Sequence, residues 1–374
     1  MVYFDNAATG GFKISAATDA SQTVLKYLCA NPGRSGHRLS LAGLNIVNET
    51  RDALAQTFNA QSERVIFTKN CTEALNMAIF GSLKDGGHVI TTIFEHNSVL
   101  RPLFTLKDKG LIDLDVVEPQ LNKPLNLLIE EKINPSTYLI VATSVSNVTG
   151  YELPIEEIGA VAKKHGILFL VDGAQGGGHV PIDMKKNNIS FLALAGHKGL
   201  GGIMGSGALI IDDETDLEPM LFGGTGSETF NLTQPQCYPE RLEAGTLNLP
   251  AIAALNEGIR HVNKNLKNFS LHILNATKNI IHALKSIPNV ECYSAPNRAG
   301  IVAFRLKNLP SSEVADILNS DYDIAVRGGF HCAPLTHKFL STENEGLVRV
   351  SLAVQNSSRE VDYFIRAVKE ISLR

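Results

Sequence analysis

The sequence predicts an α/β fold in which a mostly parallel seven-stranded sheet has helices on both of its faces. Between about residues 62 and 211, seven short apolar runs alternate with helical stretches. The apolar residues in these runs are continuous rather than alternating, which is typical of strands buried on both faces. The seven runs are Val65–Thr68, Val89–Thr92, Leu114–Val117, Leu139–Thr143, Ile167–Val171, Phe191–Ala195 and Ala208–Ile211.

One helix that connects two of these strands can be predicted from its spacing. Ile155, Ile158, Val161 and Ala162 fall on one face of a helix, which would pack against the sheet. Gly166 follows directly, and glycine is the residue most often found just beyond the end of a helix. The pattern therefore indicates a crossover helix that ends immediately before the strand at Ile167.

After about Pro250 the pattern changes and predicts a smaller α+β domain. A long amphipathic region from Ala251 to Ile287 precedes short strands near Ile301–Phe304, Ile324–Arg327 and Leu347–Ser351. A last helix is indicated by apolar residues at helical spacing, namely Val361, Phe364, Ile365, Val368 and Ile371. We therefore predict a large domain over residues 16–250 and a small domain made of residues 1–15 and 251–374.

Composition excludes several classes of protein. The net charge of −4, without a run of lysine or arginine, argues against a nucleic-acid or anionic-membrane partner. No apolar stretch is long enough to span a membrane, and the N-terminus does not resemble a signal peptide. The five scattered cysteines argue against a disulfide framework or a metal site, and they favour a cytoplasmic location.

Two polar residues follow neighbouring buried strands. Asp172 comes directly after Ile167–Val171, and Lys198 follows Phe191–Ala195. A lysine amine can form a Schiff base with the aldehyde of pyridoxal phosphate (PLP), and an aspartate can keep the pyridine nitrogen protonated. Taken singly, a solvated loop lysine and an ordinary strand-end aspartate would be the better interpretations. The pair at one sheet edge favours a PLP site, because ligands of such sheets bind beyond the strand ends.

Two further segments are candidates for holding a phosphate. Val65–Thr68 leads into a helix whose first amides, with the Thr72 hydroxyl, would suit an anion. Simple capping of that helix by Asn70 or Thr72 explains the same residues. The glycine-rich run Phe222–Ser227 would present amides and a hydroxyl to phosphate, or would merely turn the chain.

Two polar residues that follow other strands are candidates for the same site at the edge of the sheet. His96 follows the strand that ends at Thr92, where an imidazole would lie against a cofactor ring and move protons. An ordinary polar surface histidine is the alternative. Asn147 follows the strand Leu139–Thr143 in a segment that, taken alone, is an ordinary turn.

Cys332 is the candidate nucleophile. It lies in a loop bounded by glycine and proline, where His331 and Arg327 are expected to supply positive charge that favours the thiolate. An inert small apolar side chain is the alternative interpretation. Arg349 falls inside a predicted strand, so its guanidinium needs a carboxylate, either from an internal Asp or Glu or from a substrate.

Ordered motifs extend over nearly the whole chain. They are Tyr3–Thr9, Thr72–Asn76, Glu95–Ser98, Ser146–Gly150, Val171–Gln175, Gly196–Lys198, Arg241–Thr246, Arg327–Pro334 and Arg349–Ser351. Together they resemble the class V aminotransferase family of fold-type I PLP-dependent transferases. The resemblance is strongest to its cysteine desulfurase and selenocysteine lyase branch. It implies that the large domain binds PLP.

The resemblance also implies a role for each matched residue. Lys198 would be the Schiff-base lysine, and Asp172 the partner of the pyridinium. His96 would stack on the ring and assist proton transfer, and Gln175 would bind the phenolic oxygen. The residues implied in phosphate binding are Cys71, Thr72 and His197, with Thr225 reaching the phosphate of a partner subunit. The residues implied in substrate binding are Asn147, Arg349 and Arg327. Cys332 would accept sulfur as a persulfide.

The chain departs from the family pattern at two cofactor positions. Ala195 stands where many relatives have Ser or Thr, and Cys71 stands where Thr is frequent. The activity implied is nevertheless that of a homodimeric cysteine desulfurase, which converts L-cysteine to L-alanine and passes its persulfide to an acceptor protein or small thiol. Selenocysteine lyase, C–S β-lyase and aminotransferase activities are the enzymatic alternatives, and a non-catalytic scaffold is the remaining one.

Overall fold

A computed structural model of the chain describes residues 1–374. The helices are α1 Ser15–Tyr27, α2 Arg38–Phe58, α3 Cys71–Gly81, α4 Asn97–Asp108, α5 Leu125–Glu130, α6 Ile155–His165, α7 Leu249–Ser286, α8 Ser311–Tyr322, α9 Pro334–Phe339 and α10 Ser358–Ile371. The strands are β1 Val2–Tyr3, β2 Val65–Thr68, β3 Gly87–Thr92, β4 Ile112–Val117, β5 Thr137–Thr143, β6 Leu168–Asp172, β7 Phe191–Ala195, β8 Gly207–Ile211, β9 Val290–Cys292, β10 Ile301–Leu306, β11 Ile324–Ala325, β12 Arg327–Gly329 and β13 Leu347–Ser351.

All seven predicted strands form one sheet, in the order β2-β8-β7-β6-β5-β3-β4. Strand β8 is antiparallel to both of its neighbours, and every other pair is parallel, so the predicted mostly parallel sheet is confirmed. Successive residues of each strand contribute to opposite sides. For example, Ile140 lies in the core on one face and Val141 in the core on the other. This two-sided burial explains why the apolar runs are continuous.

The crossover helix α6 matches its prediction. Its predicted apolar residues Ile155, Ile158, Val161 and Ala162 are all buried. Gly166 ends the helix with a left-handed backbone, at φ 65°, which glycine adopts without steric cost. The helix therefore delivers the chain directly into β6, whose carboxyl end carries Asp172.

The C-terminal part contains a four-stranded antiparallel sheet in the order β12-β13-β10-β9. The prediction of one strand near Ile324–Arg327 is wrong, because this segment forms two strands with different partners. β11 pairs with β1 at the N-terminus, whereas β12 pairs with β13. The final helix is confirmed, with Val361, Phe364, Val368 and Ile371 buried and Ile365 half-buried against the same core.

Helix α7 joins the two parts of the molecule. Near its beginning, Ile252 and Ile259 belong to the core on one face of the large sheet. Near its end, Ile280 and Leu284 belong to the core of the smaller sheet, which also contains Phe4 from the N-terminus. The division into residues 16–250 and residues 1–15 with 251–374 stays a prediction, since one helix packs into both cores. None of the helices is both long and apolar enough to cross a membrane.

Candidate active site

A cavity lies at the carboxyl ends of β5, β6 and β7. This is the edge at which ligands of doubly wound sheets bind. The cavity brings together most of the predicted site residues, although they come from widely separated parts of the chain. These are Cys71, Thr72, His96, Asn147, Asp172, Gln175, His197 and Lys198.

Asp172 is the carboxylate that lines this cavity, and only 3% of its surface is exposed. Its Oδ1 accepts hydrogen bonds from the Ala174 amide at 2.9 Å and from the Cys71 thiol at 3.4 Å. Burial, followed by the nearby Asp172, raises the pKa of Cys71 well above its usual range, so Cys71 stays a thiol and donates. These bonds leave Asp172 Oδ2 available to a ligand, and they direct the Cys71 side chain to Asp172 instead of a phosphate.

Lys198 follows β7 and also lines the cavity. Burial lowers the pKa of its amine, Asp172 opposes this shift, and Arg349 and Arg327 add to it. A lowered pKa increases the fraction of neutral amine, which is the nucleophilic and basic form. Lys198 is therefore suited to covalent attachment of an aldehyde and to accepting a proton.

Helix α3 begins at Cys71 beside the cavity. The Asn70 side chain accepts a hydrogen bond from the Glu73 amide at 3.0 Å, so Asn70 does cap this helix. The amides of Cys71 and Thr72 nevertheless belong to the first turn, which has no acceptors within the helix. They lie at the positive end of the helix dipole and are suited to an anion such as phosphate.

His96 caps helix α4 at the rim of the same cavity. Its Nδ1 accepts a hydrogen bond from the Ser98 amide at 3.0 Å, which assigns the proton of the neutral ring to Nε2. Burial lowers the pKa of His96 to about 4; Lys198 contributes, and Asp172 opposes the shift. At neutral pH this ring is uncharged and has one N–H group to donate.

The N-terminal segment closes one side of the site, a role that the sequence analysis did not assign. Gln175 donates from Nε2 to the Ala7 carbonyl at 3.0 Å, and His197 Nδ1 lies 3.0 Å from the Thr9 hydroxyl. The motif at Tyr3–Thr9 was visible in the sequence, but its contacts are with residues far along the chain. Burial lowers the pKa of His197 to about 4, with Lys198 and Lys13 adding to the shift.

Arg349 is only 2% exposed and has an internal carboxylate partner. Its Nη2 lies 3.0 Å from Asp5 Oδ1, and its Nη1 donates to the Asn147 carbonyl at 3.0 Å. Arg349 Nε and Asn147 Oδ1 are buried without a hydrogen-bond partner. Arg349 was predicted to need a carboxylate either from an internal acid or from a substrate, and the internal acid is present. The two unpartnered atoms also identify a place where a polar ligand group would complete the hydrogen bonding.

Arg327 differs from Arg349 because it forms no ion pair within the chain. The two residues are directly opposite each other on β12 and β13. Like charges in this arrangement repel, and only Arg349 is neutralised by Asp5. Arg327 therefore remains the arginine free to attract a carboxylate.

Glu95 is a buried acid that the sequence analysis did not single out. Its Oε1 accepts hydrogen bonds from the Thr92 hydroxyl at 2.7 Å and from the Thr143 amide at 3.0 Å. Its Oε2 is buried without a partner. Burial raises the pKa of Glu95 to about 8, so at neutral pH it is protonated and joins the ends of β3 and β5 without adding a charge.

Cys332 has an exposed thiol in the loop between β12 and α9, outside the set of residues that line the cavity. The loop is bonded to the cavity walls, since Asn147 Nδ2 donates to the His331 carbonyl at 2.6 Å. The expectation that His331 supplies positive charge is wrong. Burial, followed by the charge of Arg349, lowers the pKa of His331 to about 2, so the ring is neutral. Arginine is the remaining source of positive charge near this loop.

Thr225 does not contact the cavity within this chain. It lies in an exposed segment, with its hydroxyl 3.2 Å from that of Ser227, and it lines a separate surface cleft with Arg34 and Arg51. Its predicted contact with the phosphate of a partner subunit stays a prediction.

Comparisons with known proteins agree with this architecture. The model of the "Aminotransferase class-V" family matches residues 2–364. A probable cysteine desulfurase from Methanothermobacter thermautotrophicus is 32% identical, over 99% of this chain and 94% of the relative. A probable cysteine desulfurase from Pyrococcus abyssi is 34% identical with the same coverage. The apo structure of a cysteine desulfurase from Thermococcus onnurineus NA1 has a TM-score of 0.93 and 34% identity, covering 100% of this chain and 94% of that one. These matches confirm the predicted family and fold.

The buried neutral histidines predict acid sensitivity. In the unfolded chain a histidine takes up its proton near pH 6.5, whereas in the folded protein His96, His179 and His197 do so near pH 4. Between these values the unfolded state therefore binds more protons at the three histidines. Glu95, whose pKa burial raises to about 8, acts in the opposite direction, but three histidines outweigh one carboxyl, so the free energy of unfolding falls as pH is lowered from 6.5 towards 4. The urea midpoint of the cofactor-free protein should be lower at about pH 5 than at about pH 6.5. His179→Asn should flatten this dependence, and a constant midpoint in the wild type would contradict the prediction.

Proposed function

The chain belongs to the class V aminotransferase family, and on that basis we propose that it is a PLP-dependent cysteine desulfurase. It converts L-cysteine to L-alanine and retains the sulfur as a persulfide on Cys332. The observation that carries the proposal is the pairing of a buried Lys198–Asp172 cavity with an exposed thiol whose loop is bonded to the cavity wall through Asn147. The relatives named as cysteine desulfurases over nearly the full chain support it.

The donor set of the cavity fits PLP. Lys198 would be the attachment point for its aldehyde, and Asp172 Oδ2 would hold the protonated ring nitrogen. The first-turn amides of α3 suit the phosphate, and the neutral His96 ring suits a position against the pyridine. When bound, PLP supplies an electron sink that stabilises negative charge at the substrate Cα. The remaining chemistry belongs to the side chains of this protein.

Substrate binding is proposed to depend on Arg327, with Arg349 and Asn147 beside it. Arg327 has no internal acid to neutralise it, so a substrate carboxylate meets an unpaired guanidinium. The unpartnered Arg349 Nε and Asn147 Oδ1 would gain partners from the carboxylate and the amino group of an amino acid. Binding at these groups fixes the substrate relative to Lys198.

Two residues are proposed to move protons. Lys198, whose pKa is lowered mainly by burial, takes the proton from the substrate Cα as a neutral amine. His96 donates a proton to the substrate, because its Nε2 carries a proton while its Nδ1 accepts the hydrogen bond from the Ser98 amide. Because the buried Glu95 is neutral, it would not place a second negative charge near Asp172.

Cys332 performs the sulfur transfer. Its thiolate attacks the sulfur of the substrate, a bond forms between the two sulfur atoms, and the carbon–sulfur bond of the substrate breaks. The electron pair of that broken bond stays with the carbon skeleton, and protonation then gives the methyl group of alanine. The persulfide on Cys332 is passed to an acceptor protein or a small thiol. The exposed position of the thiol supports such a transfer.

Other PLP reactions remain the alternatives. A plain aminotransferase has no need of a thiol in this loop, and a β-lyase would release pyruvate and ammonia instead of alanine. Selenocysteine is an alternative substrate for the same cavity, because selenium departs more readily than sulfur. The presence of Lys198, Asp172 and Cys332 argues against a non-catalytic scaffold.

The proposed active unit is a homodimer in the cytoplasm. The segment that contains Thr225 also has strongly exposed apolar side chains, with Phe222 72%, Phe230 99% and Leu232 100% exposed. Surfaces of this kind are typical of protein–protein contacts. All five cysteines are free, which supports a reducing compartment.

Borohydride reduction of the PLP-loaded protein should attach the cofactor permanently to Lys198. The bond between a lysine amine and the cofactor aldehyde is reducible to a stable amine, and Lys198 has the lowered pKa that favours its formation. Peptide mass mapping locates the adduct. Lys164, an exposed lysine in an ion pair with Glu130, is the internal comparison. An adduct on Lys164, or none, would sink the cofactor assignment.

Cys332→Ser should lower alanine formation from L-cysteine by roughly a hundredfold or more while leaving PLP binding intact. A serine hydroxyl has a far higher pKa than a thiol and does not accept sulfur. Alanine release and mass analysis of the protein measure the effect, with Cys29→Ser, at another exposed cysteine, as control. Alanine formation at the wild-type rate by Cys332→Ser would show that the sulfur does not pass through this thiol, and release of pyruvate and ammonia by the wild type would replace the proposal with a β-lyase reaction. Retained activity on selenocysteine would agree with the proposal.

Charged substitutions in the Thr225 segment should dissociate the dimer. Phe230→Lys combined with Leu232→Lys introduces charge at side chains that the proposal buries, and sedimentation velocity should then show a monomer with weakened PLP binding. Leu121→Lys is the matched control, because Leu121 is equally exposed but lies far from this segment in sequence. A wild-type protein that is a fully active monomer at assay concentration would contradict the dimer.

A further inference from the structure

Two adjacent residues of the Cys332 loop have a left-handed backbone. His331 has φ 50° and Cys332 has φ 56°. Glycine adopts this region freely, but other residues do so at an energetic cost, and pairs of such residues are uncommon. Such a conformation persists only when the surrounding structure fixes it, and it is often found at functional sites.

The carbonyl groups of both residues are fixed by the walls of the cavity. The His331 carbonyl accepts the hydrogen bond from Asn147 Nδ2 at 2.6 Å. The Cys332 carbonyl accepts one from the amide of Asn97 at 2.7 Å, and Asn97 is the residue after His96. The loop is therefore attached on two sides to segments that carry cavity residues.

The buried His331 side chain holds the loop through a hydrogen bond and a ring stack. Its ring is 3% exposed, and Nε2 lies 3.2 Å from the Arg327 carbonyl, to which it donates. The ring stacks on that of His337, with 5.8 Å between the ring centres. His331 Nδ1 is buried without a hydrogen-bond partner. Its contacts are those of an anchor instead of an acid or base.

We propose that His331 is a positioning residue for the sulfur-accepting thiol. Its buried ring and left-handed backbone set the direction of the Cys332 side chain, so that the thiol meets a substrate sulfur in the cavity and stays open to an acceptor. The loop then needs no rearrangement between the attack on the substrate sulfur and the transfer of that sulfur to an acceptor. This inference rests on the proposed desulfurase function, and it adds a residue that does not contact the substrate.

Three substitutions at position 331 separate the backbone from the ring. Asparagine and glycine enter the left-handed region readily but lack the stacked ring, whereas valine lacks the ring and is β-branched, which opposes positive φ. Persulfide formation on Cys332 should be slowed moderately in His331→Asn and His331→Gly. In His331→Val it should be slowed by roughly tenfold or more beyond those two variants. The KM for cysteine and the amount of PLP fixed by borohydride should stay at wild-type values.

The readout is a single-turnover experiment in which PLP-loaded protein is mixed with L-cysteine, quenched with an alkylating agent and analysed by mass. Asn289→Val is the matched control, because Asn289 also has a left-handed backbone, at φ 64°, but lies in the turn before β9. This variant should lose stability without slowing persulfide formation. If His331→Val does not fold, the slowing of His331→Gly relative to the wild type, with unchanged KM, tests the same anchor.

The outcomes distinguish this inference from the proposed function. If the wild type forms the persulfide and His331→Val forms it equally fast, the positioning role of His331 is wrong and the desulfurase function stands. If His331→Val slows only as much as Asn289→Val, the effect is general destabilisation and the positioning role is again wrong. If the PLP-loaded wild type makes neither alanine nor persulfide from cysteine, the desulfurase function fails, and this inference fails with it.

Discussion

The burial of opposite charges at the ends of two neighbouring strands is the constraint on which the site depends. Asp172 ends β6 and Lys198 follows β7, and the sheet excludes water from the space beneath both. Burial in such a place, together with the charges, changes the pKa of several groups nearby. Lys198 is shifted towards the neutral amine, Cys71 is kept a thiol, and Glu95 is kept protonated. Burial is the main cause of all three shifts; Asp172 adds to those of Cys71 and Glu95 and opposes that of Lys198. As a carboxylate in this cavity, Asp172 is suited to hold one positive charge on a bound ring.

The second requirement is that the site be closed by segments from both ends of the chain. Asp5 and Ala7 come from the N-terminus, while Arg349 comes from β13 near the other end. The ion pair between Asp5 and Arg349 spans 344 residues, and β1 pairs with β11 in the same region. Because these contacts join the small sheet to the large one, the position of the substrate groups depends on the folding of the whole molecule.

Much of the fold was predictable because the information is local. Continuous apolar runs identify buried strands, and parallel neighbours place their carboxyl ends together, so Asp172 and Lys198 were expected to meet. The split of Ile324–Arg327 into β11 and β12 was not predictable in this way, since it is decided by two distant pairing partners. The charge of His331 was misjudged for a similar reason. Its neighbours in sequence suggested a positive setting, but its burial comes from the packing of α9 and β12.

A thiol that both attacks a substrate and delivers sulfur elsewhere has two opposed requirements. Proton removal from a substrate favours a cavity that excludes water, whereas transfer to an acceptor needs an exposed sulfur. This chain meets the two requirements at different places, because Lys198 lies inside the cavity while Cys332 is exposed in the adjoining loop. Asn147 belongs to both regions, since it lines the cavity and donates to the His331 carbonyl. A fixed, strained loop satisfies both requirements, whereas a mobile loop would need to move between them. This accounts for the two consecutive left-handed residues, His331 and the nucleophile Cys332 itself.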